Sequence, residues 1–187
     1  CFPKDTLAVV SMGKAIGFDC ELNAAVHRVN QAQRRHFWSK IEGVLGRNLA
    51  GKRLAFWGVA FKPRTDDIRE APSISLMRMA MAAGAKVRAF DPVALENLSH
   101  EFPEVERATD MYHCLEGADA LVIATEWNEF RAPDLDRVEA LMPSKLVFDG
   151  RNLYKRQGMQ ARGFAYYSVG RAPVNPRNEA VLASSRS

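Results

Sequence analysis

The stretch between residues 58 and 72 places cations and acids close together, directly after an apolar segment that ends at Trp57. Its charged residues are Lys62, Arg64, Asp66, Asp67, Arg69 and Glu70. Lysine and arginine bind diphosphates and carboxylates because their hydrogen bonds to anions are charge-assisted. We expect the acids to orient these cations through ion pairs and not to act as acid–base catalysts. The stretch is therefore a candidate anion-binding loop, and a purely structural, solvated ion-pair loop is the alternative.

Two further polar groups follow apolar runs in the same way. The first is Thr125-Glu126-Trp127-Asn128-Glu129-Phe130, and the second is Asp149-Gly150-Arg151-Asn152. If the preceding runs are parallel strands, their carboxyl ends meet at one edge of the sheet, where open α/β sheets bind ligands. We expect both groups to line one crevice with the loop at residues 58–72, and Arg151 to add a further cation there.

Cys1 is followed closely by Lys4 and Asp5. A cysteine thiolate is a strong nucleophile when its pKa is lowered, and both a lysine and a following helix N-terminus favour the anion. The spacing indicates a candidate nucleophile, and a cleavage or cloning scar at the terminus is the alternative. Cys20 and Cys114 lie far apart, without a CxxC motif or a histidine at ligand spacing. We predict that they are buried thiols and that the chain has neither a disulfide framework nor a metal site.

The first helix is predicted close to the amino terminus. Because Pro3 disfavours helix in the residue before it, we expect residues 1–3 to be extended. Asp5 or Thr6 can then cap a helix that ends near Gly17.

A longer helix is predicted from Glu21 onward, because neither proline nor glycine occurs before Gly43. Its apolar residues recur at helical steps and form one stripe: Leu22, Val26, Val29, Phe37, Ile41 and Val44. A helix of about 25 residues is about 38 Å long, which is too long for one packing partner inside a small domain. We interpret it as a connector and as the surface of a homodimer.

Short apolar runs alternate with helical segments from Lys52 onward. The predicted strands are residues 53–57, 86–90, 120–124, 145–148 and 164–168. The predicted helices are residues 72–83, 110–116, 134–141 and 155–161. Such alternation indicates a parallel sheet covered on both faces. The predicted fold class is α/β, a Rossmann-like open parallel sheet with helices on both faces, preceded by a long helix.

Composition and patterning exclude several classes of protein. With 47% hydrophobic and 26% charged residues in a chain of 187, the protein is globular. No run approaches the roughly 20 apolar residues of a membrane span, and no signal-peptide pattern opens the chain, so we expect a cytoplasmic protein with no membrane contact. The net charge of +4 arises from scattered cations and does not indicate nucleic-acid binding. No GxGxxG fingerprint follows a strand, so any nucleotide is bound without the usual dinucleotide loop.

Four groups of motifs occur in a fixed order along the chain. They are Cys1-Phe2-Pro3-Lys4-Asp5-Thr6, the whole stretch 58–72, Asp91-Pro92 with Thr125-Glu126-Trp127, and Asp149-Gly150-Arg151-Asn152. Together they closely resemble the UDP-glucose 6-dehydrogenase family, and the resemblance extends to about Gly170. Related dehydrogenases for GDP-mannose and UDP-N-acetylmannosamine share the plan but usually place leucine after the cysteine, so Phe2 and Thr6 favour UDP-glucose. Ala71 stands where serine is common in the family.

The resemblance implies a three-part enzyme with an NAD-binding Rossmann domain, a helical middle and a domain that binds the UDP end of the sugar nucleotide. This chain would then begin at the catalytic cysteine, lack the NAD domain and be inactive alone. The implied division is a helical central and dimerisation segment at residues 1–49, a UDP-sugar-binding α/β domain at residues 50–170, and a tail at residues 171–187.

The family oxidises the C6 alcohol of UDP-glucose twice with NAD, giving UDP-glucuronate for polysaccharide biosynthesis. By resemblance, Cys1 is the nucleophile that forms a thiohemiacetal and then a thioester, and Asp5 assists hydrolysis. Lys4 and Arg69 match contacts to NAD. The residues that match substrate contacts are Phe61, Lys62 and Arg151. Two alternatives stay open: a dehydrogenase acting on UDP-N-acetylmannosamine or GDP-mannose, and a non-catalytic nucleotide-binding or dimerisation module.

Overall fold

The computed structural model describes residues 2–176, with side chains from residue 4 onward. The chain divides between Ser39 and Lys40 into two compact units. The first unit is helical, and the second contains the sheet. No helix in the described range combines the length and the apolar character that a membrane span requires.

Helix α1, Phe2–Ala15, begins earlier than the sequence predicts. The prediction that residues 1–3 are extended is wrong for Phe2 and Pro3, and residue 1 lies outside the described range. Proline fits the first turn of a helix because the N–H group it lacks would have no acceptor within the helix, and its fixed φ suits helical backbone.

Helix α2, Glu21–Leu45, confirms the predicted long helix with 25 residues. Leu22 and Val29 are exposed on it, at 78% and 57% of their surface, whereas Ile41 and Val44 are buried. The predicted use of this helix as a homodimer surface stays a prediction.

The second unit contains a six-stranded parallel sheet, which confirms the predicted α/β class. The strands are β1 Arg53–Trp57, β2 Lys86–Phe90, β3 Glu106–Arg107, β4 Ala120–Ile123, β5 Leu146–Asp149 and β6 Ala165–Ser168. Their spatial order is β3-β2-β1-β4-β5-β6. This is the strand order of a Rossmann fold, in which the topology switches between β1 and β4.

Helices flank the sheet between successive strands. They are α3 Pro72–Ala82, α4 Leu95–Glu101, α5 Asn128–Arg131, α6 Leu135–Leu141 and α7 Arg156–Ala161. The sequence predicted three of them and missed α4 and α5. The helix predicted at residues 110–116 contains only a 3-10 turn, His113–Leu115. Strand β3 was also missed, because its two residues are polar and exposed.

Trp57 anchors the carboxyl end of β1 in the core. Its ring stacks on Phe130 with 5.3 Å between ring centroids, and both residues are fully buried. The indole Nε1 donates a 2.8 Å hydrogen bond to the carbonyl oxygen of Met111, so burial leaves no unpaired donor on the ring. Burying an aromatic side chain of this size contributes about 2–3 kcal/mol. The backbone that leads into the loop at residues 58–72 therefore starts from a fixed point.

Candidate functional site

The carboxyl ends of β1 and β4 meet at the topological switch point. Gly58 follows β1 with φ of +90°, and a Cβ atom there would lie 2.7 Å from the backbone nitrogen of Thr125. Thr125 is fully buried, and its hydroxyl donates a 2.6 Å hydrogen bond to the carbonyl oxygen of Ala60. The loop after β1 and the segment after β4 are thus held in direct contact.

Asp91, which directly follows β2, organises this edge of the sheet. The carboxylate is 1% exposed. Its Oδ2 accepts hydrogen bonds from Val59 N, Ala60 N and Trp127 Nε1, and its Oδ1 accepts from Val93 N and Ala94 N, all at 2.8–3.0 Å. Sequence reasoning recorded the Asp-Pro motif but gave it no role. The available signal was an acid at the end of a buried strand, where an unpaired carboxylate would be costly.

The loop after β1 is held by its own hydrogen bonds. Phe61 N donates to the carbonyl oxygen of Asp67 at 2.8 Å. The Asp67 carboxylate accepts two hydrogen bonds from the Arg69 guanidinium, at 2.9 and 2.8 Å. These bonds lower the pKa of Asp67 to about 2. One of the predicted ion pairs of the loop is therefore present, although the Arg69 side chain is 82% exposed.

Phe61 and Lys62 occupy the first half of this loop. Phe61 is half-buried and Lys62 is exposed. Lys62 forms no ion pair with any residue that the structure describes, so its ammonium group is available to an anionic ligand.

The segment after β5 is built around Asp149, which is fully buried. Its Oδ1 accepts a 2.8 Å hydrogen bond from Arg151 N, and its Oδ2 accepts from Leu153 N and from the Tyr166 hydroxyl, at 2.7 and 2.8 Å. Burial and the neighbouring Asp149 charge raise the pKa of Tyr166, so its hydroxyl stays a donor. The backbone position of Arg151 is consequently fixed.

Arg151 forms an ion pair with Glu126, which lies in the segment after β4. Burial raises the pKa of Glu126, but the Arg151 guanidinium outweighs that effect and the net pKa lies below its ordinary value. The ion pair joins the second polar group of the sequence to the third. Sequence reasoning missed it, because two residues so far apart in the chain meet only through strand pairing.

The remaining predicted site residues belong to the first unit. Lys4 and Asp5 lie on α1 and are exposed. Cys1, the predicted nucleophile, lies outside the described residues. The structure thus joins the groups that contain Phe61, Lys62 and Arg151 at one edge of the sheet, and the catalytic roles of Cys1 and Asp5 stay predictions.

The other cysteines show no sign of a metal centre. Cys114 is buried as predicted, whereas Cys20 is only half-buried. Among the described residues, no group of three or more histidine, cysteine or acidic side chains could hold a metal ion.

The residues at the switch point do not fit NAD in the manner of a dinucleotide-binding Rossmann domain. Such a domain presents a glycine-rich turn to the pyrophosphate and an acid after the second strand to the ribose. Here Gly58 is followed by Val59 and Ala60, and Asp91 is fully occupied by five protein donors. This sheet therefore lacks the groups with which a dinucleotide-binding domain holds NAD.

The strand order defines an α/β protein of the Rossmann type, here without the glycine-rich dinucleotide loop. Comparison with known protein families then identifies the family of this chain. The family model described as "UDP-glucose/GDP-mannose dehydrogenase family, UDP binding domain" matches residues 55–156, and the chain belongs to this family.

Relatives with assigned names agree with this membership. UDP-glucose 6-dehydrogenase TuaD of Bacillus subtilis is 39% identical over 175 residues, which cover 93% of this chain and 38% of that protein. A UDP-glucose 6-dehydrogenase of Pseudomonas aeruginosa is 38% identical over 177 residues, covering 91% of this chain and 39% of that protein. The chain therefore spans well under half the length of these relatives.

Solved structures show the same architecture. A UDP-glucose dehydrogenase from Pyrobaculum islandicum superimposes with a TM-score of 0.74 at 31% identity, over 92% of this chain and 37% of that one. A UDP-D-ManNAc dehydrogenase from Pyrococcus horikoshii gives 0.73 at 26% identity, over 91% and 38%.

Proposed function

We propose that the second unit binds the UDP end of a nucleotide sugar at the carboxyl edge of its sheet. The observation that supports this most directly is the joining of two cation-bearing segments, with Lys62 and Arg151, across the switch point of a sheet in the UDP-binding family. Open α/β sheets bind their ligands at this position. A diphosphate requires such cations, because burying its charge without partners is costly.

Within this site, Lys62 supplies a point charge to the diphosphate, and Arg151 supplies a planar fork of donors. Phe61, which is half-buried in the same loop, offers an apolar surface to the nucleotide sugar. The hydrogen bonds of Asp91 to Val59 N and Ala60 N hold the start of the loop in place before a ligand arrives.

We further propose that the chain serves as part of an NAD-dependent UDP-glucose 6-dehydrogenase that forms UDP-glucuronate. The names of the relatives support this reaction, and the sequence motif supports Cys1 as nucleophile with Asp5 assisting hydrolysis. Lys4 and Arg69 are exposed and would reach NAD held by other parts of the enzyme. We also propose that two copies of the chain pair through α2.

Calorimetric titration of the chain with UDP and UDP-glucose tests the site. We expect micromolar binding of both ligands, and a loss of about tenfold in UDP affinity for Lys62→Ala, since a charge-assisted contact to phosphate is removed. Lys86→Ala is the matched control, because Lys86 is also exposed but lies at the start of β2, at the amino edge of the sheet. Absence of UDP binding, or an equal loss in both variants, contradicts the proposal.

The same titration separates the alternatives. Binding of GDP in preference to UDP would identify a GDP-mannose dehydrogenase, whereas UDP-N-acetylmannosamine bound more tightly than UDP-glucose would identify that sister enzyme. A non-catalytic module is supported if the chain, combined with the remainder of a family enzyme, binds UDP-glucose but yields no UDP-glucuronate.

A further inference from the structure

The ion pair between Glu126 and Arg151 is more sheltered than the other pair at this edge. The two side chains are 25% and 35% exposed, whereas Arg69 in the Asp67–Arg69 pair is 82% exposed. Partly buried charges are screened less by salt than exposed ones, so the attraction between Glu126 and Arg151 is the stronger of the two.

The contact uses one particular atom of the guanidinium. Glu126 Oε2 pairs with Nε of Arg151. The terminal nitrogens Nη1 and Nη2 donate to no residue in the part of the chain that the structure describes. Because the donors of arginine form a rigid planar fork, fixing Nε also fixes the direction of the edge formed by Nη1 and Nη2.

Hydrogen bonds restrain the backbone around both Glu126 and Arg151. Arg151 N donates to Asp149 Oδ1 at 2.8 Å, and Thr125, which precedes Glu126, is bound to the carbonyl oxygen of Ala60. The guanidinium is therefore held from two strands, β4 and β5, and not only by its own side-chain torsions.

We propose that Glu126 is a positioning residue. It holds Arg151 through an ion pair to Nε, so that Nη1 and Nη2 face the diphosphate of a UDP sugar. The inference rests on the proposed function, because it takes the nucleoside diphosphate as the ligand. Glu126 itself does not touch the ligand. It reduces the entropy that Arg151 loses on binding, since the fork is already oriented.

The charge of Glu126 taken alone predicts that removing this residue tightens UDP binding, which is opposite to the effect of positioning. Glu126 is ionised at neutral pH, since its pKa lies below the ordinary value. A carboxylate near the site repels a diphosphate, so its removal would tighten UDP binding if charge alone mattered. Positioning predicts weaker binding instead. The sign of the change therefore distinguishes the two effects.

The test measures UDP and uridine affinities of the whole chain by NMR titration for Glu126→Ala, Glu126→Gln and Arg151→Ala. We expect Glu126→Ala to weaken UDP binding about tenfold. The affinity for uridine, which has no diphosphate, should remain unchanged. Glu126→Gln keeps an amide oxygen that can accept from Nε and should recover most of the UDP affinity. A double variant that combines Glu126→Ala with Arg151→Ala should lose no more UDP affinity than Arg151→Ala alone, because Glu126 acts through Arg151.

Glu139→Ala is the matched control. Glu139 is 24% exposed and pairs with Lys145, which directly precedes β5 and so lies at the opposite edge of the sheet. This variant should lose some stability and no UDP affinity. If Glu126→Ala fails to fold, Glu126→Asp decides, because it keeps the charge but withdraws the carboxylate by one methylene, and it should also weaken UDP binding.

Four outcomes overturn the inference. They are unchanged or tighter UDP binding by Glu126→Ala (by Glu126→Asp, if the alanine variant does not fold), an equal loss of uridine affinity, an additive loss in the double variant, and an equal loss in Glu139→Ala. Failure of the unaltered chain to bind UDP is a separate result, which contradicts the proposed function itself.

Discussion

The hydroxyl of Thr125 and the carbonyl oxygen of Ala60 are joined by a 2.6 Å hydrogen bond across the switch point of the sheet. Thr125 is fully buried, and it lies directly against Gly58, which carries no side chain. This hydrogen bond joins the loop after β1 to the segment after β4, and their close approach requires a residue without a side chain at position 58.

Gly58→Ala should lower the free energy of unfolding by about 2–4 kcal/mol, because it adds a clash and places a side chain on left-handed backbone. The new Cβ would lie 2.7 Å from Thr125 N, at a φ of +90°. Urea unfolding measures the change. Gly158→Ala in α7 is the control: nothing lies within 4 Å of its Cβ position, and it should raise stability by up to about 1 kcal/mol. Equal effects in the two variants would contradict this account.

Asp91→Asn should lower the free energy of unfolding by about 2–3 kcal/mol, because the amide NH₂ would face donors that have lost their acceptor. Asp110→Asn is the control, since Asp110 is exposed and its carboxylate accepts from two backbone donors, Tyr112 N and His113 N. Its loss should be about 1 kcal/mol or less. Urea unfolding measures both changes. A similar loss of unfolding free energy in the two variants would show that Asp91 does not organise this edge of the sheet.

Asp67 should titrate at an unusually low pH. Pairing with Arg69 lowers the pKa of its carboxyl from 3.8 to about 2. Because the pKa is lowered on folding, the pair stabilises the fold above pH 3.8, and this contribution is lost as the pH falls through about 2. Carbon-13 NMR of the carboxyl group measures the titration. Arg69→Ala should return the pKa towards 3.8, while Arg64→Ala should leave it unchanged. An unchanged titration in Arg69→Ala would contradict the assigned cause.

Cys114 should resist alkylation in the folded protein. Burial raises the pKa of its thiol to about 12, and the thiolate is the reactive form. After treatment with iodoacetamide at about pH 8, peptide mapping should show modification of half-buried Cys20 and none of Cys114. Denaturant should expose both cysteines. Rapid modification of Cys114 without denaturant would show that the core opens near the end of the 3-10 turn.

Each strand that the sequence predicted contains at least three consecutive buried residues. Strand β4, for example, is a run of four buried apolar residues, as expected for a parallel strand in a sheet flanked by helices. β3 could not be predicted in this way, since Glu106 and Arg107 gain their strand geometry only from pairing with β2. The rule that a proline disfavours helix in the preceding residue failed at Phe2, since Pro3 itself fits the first turn of a helix.

The location of the site followed from topology, but its contacts did not. Parallel strands predicted that the segments after β1, β4 and β5 share one edge, and two contacts now join them. The pairing of Glu126 with Nε of Arg151 depends on the registers of both strands and on side-chain rotamers. No local pattern in the sequence records such information.

The saturated carboxylate of Asp91 has a consequence for sugar discrimination. A carboxylate offers about four lone-pair sites, and five protein donors already occupy this one. It can accept no ribose hydroxyl, which is the task of the corresponding acid in dinucleotide-binding sheets. Any preference for ribonucleotides over deoxyribonucleotides must therefore arise elsewhere, and Asp91 itself would treat UDP and its 2′-deoxy analogue alike.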